Sequence, residues 1–154
     1  MSELELLKEI ENLSKQIKTG ELQCRNLKES DWDTLVSWWK WWRWPIMAKD
    51  FLPDNGKGGI IVEKDHTPIV AGFLYETNSS VMILEWIVSS PSYKEHDRKQ
   101  AVELLIKEAE NLAKANNYKY MFTIGRSKRL IETHKKLGWF VDDKPSHEIT
   151  KKIK

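Results

Sequence analysis

Two hydrophobic periods divide the chain. Leu6, Ile10, Leu13 and Ile17 stand four, three and four residues apart, the repeat of one helix face, and Gly20 stops the helix they predict. Residues 1–20 therefore read as an N-terminal amphipathic helix added to a domain over residues 21–154. That helix suits either a short dimer-forming coiled coil or a helix folded back on its own domain. Leu22–Leu27 reads as a strand, after which Ser30 or Asp31 caps a helix from Trp32 to about Trp42, ended by Pro45. Ile46–Gly58, broken by Pro53 and Asn55-Gly56, is a loop.

From Gly59 the period changes to two. The runs Gly59–Lys64, Pro68–Thr77 and Val81–Ser89, separated by turns at Asp65–Thr67 and Asn78–Ser80, predict an antiparallel meander. Ala101, Leu104, Leu105 and Leu112 return to helical spacing and predict a helix over Asp97–Asn116. A strand over Tyr118–Ile124, a helix over Ser127–Leu137 closed by Gly138, and final strands over Trp139–Val141 and His147–Ile153 complete the order. Strand-helix-strand units imply parallel neighbours while the meander is antiparallel. The fold class is therefore α/β (α+β), with a mixed, mostly antiparallel sheet flanked by helices.

Composition narrows the function. At 154 residues, 40% hydrophobic and 31% charged, the chain is one domain's worth of globular sequence. It has no apolar run of the roughly 18 to 20 residues a membrane span needs, so no membrane association is expected. The first twenty residues contain no secretory h-region, so a cytoplasmic protein is expected. One cysteine, Cys24, supplies neither an internal disulfide nor a multi-thiolate metal site, and His66, His96 and His147 show no ligand spacing with one another; no metal is expected. The net charge of +2 is too small to imply nucleic acid, yet Arg126–Lys154 holds nine basic against four acidic residues. Eight tryptophans are unusual, and five of them lie in Ser37–Trp44, SWWKWWRW.

Two segments carry a resemblance. ILEWIVSSPSYKEHDRK, Ile83–Lys99, looks like the cofactor strand and phosphate loop of the GNAT superfamily of acyl-CoA-dependent N-acyltransferases. SKRLIETHKKLGWF, Ser127–Phe140, resembles that family's penultimate helix in register, with Ser127 at its Asn, Leu130 and Ile131 at its apolar pair, His134 at its Tyr, Lys136 at its Lys, Gly138 at its Gly and Trp139 at its Phe. The resemblance covers about Leu22–Ile153. Within the superfamily, small bacteriophage acyltransferase-like proteins look most similar, through KDFLPDNGKGGIIVEKD and GFLYETNSS; a phage-encoded protein would work in the host cytoplasm.

The resemblance implies transfer of an acetyl (acyl) group from acetyl-CoA to a primary amine by direct attack in a ternary complex. Backbone of Ile87, Val88 and Ser89 would meet the cofactor, with an N–H near Val88 or Ser89 stabilising the oxyanion at a break in strand pairing. A strand ending at Ser89 and a helix starting near Asp97 would by themselves make an anion site. The family's loop there is glycine-rich, whereas Tyr93, Lys94, Glu95, His96, Asp97, Arg98 and Lys99 include no glycine; Lys94, Arg98 and Lys99 would contact phosphate directly. Tyr93 and Ser127 are further cofactor contacts by the match.

Glu85 stands in an apolar strand. Alternation places it with Ile83 and Ile87, away from Trp86, and a carboxylate among apolar neighbours is a candidate general base, or else a Glu paired across the sheet. His134 replaces the family's Tyr and, as an imidazolium, would protonate the thiolate. In the Trp helix, Trp38, Trp41 and Trp42 are expected to face the core with Leu35, leaving Trp39, Lys40, Arg43 and Trp44 outward. Indoles interleaved with cations suit a planar acceptor, so Trp39, Arg43 and Trp44 are the acceptor-binding candidates. The acceptor amine is small or macromolecular, and the chain a monomer or homodimer. Two other classes stay open: a nucleic-acid-binding module using the Trp/Arg stretch, and a catalytically silent GNAT-like subunit or inhibitor.

Overall fold

The computed structural model describes residues 2–8 and 20–154. Residues 3–8 are helical; the rest of the helix expected over residues 1–20 lies outside the described residues. The chain divides into two compact units, one ending at Ile124 and one spanning Gly125–Lys154. Among the described residues no helix is long and apolar enough to cross a membrane.

The first unit is built on one sheet of five strands in sequence order: β1 (Leu22–Asn26), β2 (Gly59–Lys64), β3 (Thr67–Tyr75), β4 (Val81–Ser89) and β5 (Tyr120–Phe122). The first four are antiparallel, and β5 runs parallel to β4 through the pairs Val81–Tyr120, Met82–Met121 and Ile83–Phe122. The parallel pair requires a crossover, supplied by α2 (Arg98–Ala115). α2 buries Ala101, Leu105, Ile106, Ala109 and Ala113, a stripe of small and branched residues that lets the helix lie close to the sheet.

The opposite face is covered by α1 (Trp32–Trp41). Its start is fixed by Arg25 of β1, which donates to both carboxylate oxygens of Asp31 at 2.8 and 2.9 Å while its Nε lies 3.1 Å from Glu63 of β2. This ion pair holds the Asp31 carboxyl below its ordinary range. The core beneath α1 gathers Leu35, Trp38 and Trp39 against Ile61, Ala71, Phe73 and Val88; burying each large side chain contributes roughly 1.5–3 kcal/mol.

The inward face of α1 differs from the expected one. Leu35, Trp38 and Trp39 are buried, whereas Trp41 and Trp42 are 61% and 38% exposed. The reason is the helical repeat: i+3 and i+4 from Leu35 are Trp38 and Trp39, Trp41 at i+6 is rotated off that face, and Trp42 at i+7 stands beyond the last helical residue. Trp39 is fully buried and packs on Trp32 and Phe73, so it is a core residue and not an acceptor contact. Helix α1 also stops before Pro45. Arg43 takes a left-handed conformation (φ 60°) and the Trp44 N–H donates to the Trp39 carbonyl at 2.8 Å, a reversal that satisfies the helix's last carbonyls.

In the second unit Ser127 caps α3 (Lys128–Lys136) by accepting from the Leu130 N–H at 3.2 Å. Gly138 (φ 90°) then turns the chain away. The strands expected over Trp139–Val141 and His147–Ile153 do not form. Their alternation is real, but a strand exists only where another accepts its backbone hydrogen bonds; none does here among the described residues, and Phe140 and Ile149 are almost fully exposed.

Candidate active site

β4 carries a bulge at its middle. The register with β3 pairs Phe73 with Glu85 and Ala71 with Val88, so Trp86 and Ile87 together oppose the single residue Gly72. One extra residue on one strand is a β-bulge. Trp86 takes φ 57° there, a left-handed conformation that costs a bulky residue about 1–3 kcal/mol and persists only when its surroundings fix it. Gly72 provides the room: a Cβ on it would lie 3.1 Å from Leu84 Cδ1, 3.4 Å from Ile87 Cγ1 and 3.5 Å from Leu105 Cδ2.

The bulge resets which way side chains point. Leu84 and Ile87 both pack toward α2, though three residues apart. Glu85 pairs directly with Phe73, which belongs to the core beneath α1, and paired residues share a face. Glu85 therefore lies on the α1 face with Trp86 and Val88, correcting the expectation that it shares the face of Ile87.

Glu85 is 7% exposed, and its Oε1 accepts a hydrogen bond from the Ile124 N–H at 2.9 Å. The β4–β5 register stops at Ile83–Phe122. Beyond it, among the described residues, the only strand registered with β4 is β3, and the side chain of Glu85 spans the opening to the chain that continues β5.

Above the bulge, β4 ends at Ser89, which two groups hold. The Trp42 Nε1–H donates to its carbonyl at 2.9 Å, and Arg98 Nη2 donates to its Oγ at 2.9 Å. The turn to α2 is closed by Asp97: one carboxylate oxygen accepts from the Tyr93 hydroxyl at 2.6 Å and the other from Lys64 Nζ at 3.0 Å. The Tyr93 hydrogen bond, then that of Lys64, lowers the Asp97 pKa, and the carboxylate sits at the positive end of an 18-residue helix. Lys94 and Lys99 are exposed at this turn. The structure thus brings Ile87, Val88, Ser89, Tyr93, Lys94, Arg98 and Lys99 to one end of β4, with Glu85 at the bulge below.

His134 lies in the second unit and is 3% exposed. Its Nδ1 lies 2.8 Å from the Leu130 carbonyl oxygen; a carbonyl only accepts, so Nδ1 carries the proton. The ring packs edge-on to Trp139 at 4.8 Å, and Nε2 is buried without a hydrogen-bond partner. Burial lowers the His134 pKa from 6.5, outweighing the Leu130 hydrogen bond. The ring is neutral at pH 7 and its Nε2 is an acceptor, which corrects the expectation of an imidazolium donor. Ser127 serves α3 as its cap.

Sequence reasoning missed the aromatic cluster around Trp86. The Trp86 Nε1–H donates to the Tyr75 hydroxyl at 3.0 Å, and Trp44 and Phe51 pack at 6.5 and 6.0 Å between ring centroids. A tryptophan directly after the strand glutamate was its only signal. A cavity of about 560 Å³ lies at the Met82 end of β4, beside Leu112 and Asn116. Burial pushes the Cys24 thiol up to about 12, so it stays protonated. Among the described residues no three His, Cys, Asp or Glu side chains are placed to hold a metal ion.

Many solved structures share this architecture. A "predicted acetyltransferase with acetyl-CoA" from Clostridium acetobutylicum is 16% identical, with 84% of this chain and 96% of that one covered and a TM-score of 0.59. A GCN5-related N-acetyltransferase from Ralstonia eutropha JMP134 is 15% identical over 84% and 99%, at a TM-score of 0.60. AAC(6')-Iy in complex with a CoA-S-monomethyl-acetylneamine bisubstrate analogue is 17% identical over 86% and 99%, at 0.60. The fold is that of the GNAT acetyltransferases. At these identities the likeness concerns the fold, and it lends no support to the narrower bacteriophage resemblance. No protein-family model and no curated protein sequence matches the chain.

Proposed function

We propose that this chain is an N-acyltransferase, moving an acetyl group from coenzyme A to a primary amine. The observation that carries the reading is the bulge in β4, which sets the buried Glu85 beside the point where β4 and β5 part. Coenzyme A fits the residues present. Arg98, Lys94 and Lys99 stand at the start of α2, whose first-turn N–H groups favour phosphate, and among the described residues β4 past Ile83 has an edge with no registered strand. The Asp97 carboxylate opposes this by placing negative charge at the same helix end. When bound, the cofactor supplies an acyl group activated as a thioester.

The chain's own residues then have separable tasks. Lys94, Arg98 and Lys99 hold the anionic end, and Ser89, fixed by Trp42 and Arg98, sets where β4 stops. The backbone of Ile87 and Val88 at the bulge offers N–H groups to a developing oxyanion. Glu85 takes the proton of the attacking amine, directly or through water. His134, neutral and buried, is not the donor to the leaving thiolate, whose proton comes from solvent. Arg43 and Trp44 line the acceptor side.

A second reading, a GNAT-shaped protein without transferase activity, is favoured by Asp97 alone. Thermal shift with acetyl-CoA and with free coenzyme A separates the two: a ligand at 100 times its Kd stabilises by about 2.7 kcal/mol. Stabilisation by both, with acetyl transfer to an amine, supports the enzyme. Absence of any shift at millimolar ligand refutes it.

A further inference from the structure

The acceptor side of the bulge is built from rings. Trp86 is forced into a left-handed backbone at the residue after Glu85, and it shares the α1 face with Glu85. Its indole is oriented at one end by the hydrogen bond to the Tyr75 hydroxyl, which itself donates to the Phe51 carbonyl at 3.3 Å. Trp44 meets it edge-on at 64°, and Phe51 is tilted at 58°. Trp44 reaches Trp86 because Arg43 also adopts a left-handed conformation and reverses the chain. Two non-glycine residues are thus held in a disfavoured backbone region where these rings converge. Such strain survives only where packing over-determines it, and it concentrates at functional sites.

These rings are not sealed into the core. Phe51 is 47% exposed, while Trp44 and Trp86 are half-buried, so part of these side chains stays accessible beside the bulge. The segment that carries Trp44 and Phe51 is basic in sequence, with Lys40, Arg43 and Lys49 against one carboxylate, Asp50, and Lys49 is turned to Glu29 and the Trp32 ring. A polycationic acceptor, such as an aminoglycoside or a polyamine, requires carboxylates at its approach, and this segment supplies one against three cations. A flat ring stacks on indole and phenyl faces and needs no counter-charge.

We infer that the acceptor is a primary aliphatic amine joined to a flat aromatic ring, the ring seated among Trp44, Phe51 and Trp86 with the amine turned toward Glu85. This rests on the acyl-transfer reading and specifies the substrate class of the same site.

The test uses the full chain with tryptamine, n-butylamine and kanamycin as acceptors from acetyl-CoA, and calorimetric binding of tryptamine with and without coenzyme A. Tryptamine should exceed both other amines at least tenfold in kcat/KM. The exposed-ring variant Phe51→Ala, and independently Trp44→Ala, should each reduce the preference for tryptamine over n-butylamine to threefold or less and weaken tryptamine binding at least fivefold. Equal or better use of kanamycin or n-butylamine overturns the inference while leaving acyl transfer intact. Failure to bind coenzyme A overturns the acyl-transfer reading instead; the ring site then stands or falls on whether tryptamine still binds and whether Phe51→Ala weakens it. Displacement of tryptamine by a single-stranded oligonucleotide that binds more tightly and loses affinity in the same variants would reassign the rings to base stacking and overturn the inference.

Discussion

Glu85 Oε1 accepts the Ile124 N–H at 2.9 Å. Each residue lies two positions beyond the last β4–β5 register pair, Ile83–Phe122, so a side chain occupies the place where a backbone carbonyl would otherwise continue the ladder. The longer reach of the side chain spaces the two chains apart, and the same carboxylate lies at the bulge of β4. A single residue therefore stands where the sheet opens and, in the proposed reaction, would supply the acid-base group there. Structural and chemical roles of this kind are separable by substitution, because a glutamine retains an oxygen that accepts from Ile124 but cannot act as a base.

Glu85→Gln should lower kcat by about a hundredfold or more, the usual contribution of a general base, while acetyl-CoA affinity and Tm stay near those of the parent. Glu85→Ala should lose as much activity and, in addition, about 0.5–1.5 kcal/mol of stability, because the hydrogen bond from the Ile124 N–H is lost. Steady-state kinetics and thermal melts of the two variants check this. Equal activity of parent and glutamine variant would remove Glu85 from catalysis.

The start of α2 should respond to charge in both directions. Lys94→Ala with Arg98→Ala should weaken acetyl-CoA binding at least tenfold, the scale of one or two charge-assisted hydrogen bonds. Asp97→Asn should strengthen it, since the substitution removes a carboxylate held at the helix's positive end by Tyr93 and Lys64. Calorimetric Kd values decide. Unchanged affinity in the double variant would place the phosphate site elsewhere.

His134 should make the fold sensitive to mild acid. Its folded pKa lies below the ordinary 6.5 through burial, so below about pH 6.5 the unfolded chain binds a proton that the folded chain refuses. Its stabilisation is thus present above pH 6.5 and is lost as pH falls from there toward the lowered folded pKa. Melts across that window should show the parent losing more Tm than His134→Leu, which has nothing to titrate. A steeper loss in the leucine variant would refute the neutral ring.

As a proton donor His134 fails the same geometry. His134→Tyr, which installs the residue of the resembling family, should leave the alkaline limb of the rate profile of any acyl transfer within a few tenths of a pH unit, because the parent ring gives no proton at neutral pH. An upward displacement of a full unit, read from kcat against pH, would restore a donor role.

Gly59 should tolerate no side chain. A Cβ there would lie 2.2 Å from the Gly72 carbonyl oxygen, a backbone atom that cannot swing aside, and 2.9 Å from Leu27 Cδ1. Gly59→Ala should cost on the order of 1–3 kcal/mol, the usual range for overpacking, measured by denaturant unfolding. Because Gly59 pairs with Phe73, itself opposite Glu85, the strain would reach the bulge.

The sequence by itself determined the alternation of elements from Leu22 to Leu137, the meander, and the parallel return of β5, because turn residues and hydrophobic period are local properties that each segment carries alone. It also placed the candidate cofactor residues from Ile87 to Lys99 on one strand end and turn, since chain neighbours cannot be far apart. Only the tertiary structure decided the rest. The bulge depends on Gly72 of a neighbouring strand, so alternation counted along β4 misassigned Glu85. Trp39 is buried and Trp41 exposed because the sheet beneath α1 selects one arc of a helix that is aromatic on several sides. His134 is neutral because burial, to which the Trp139 ring packed against it contributes, outweighs the hydrogen bond to Leu130, and the strands expected after Gly138 are absent because pairing requires a partner that no segment's own sequence contains.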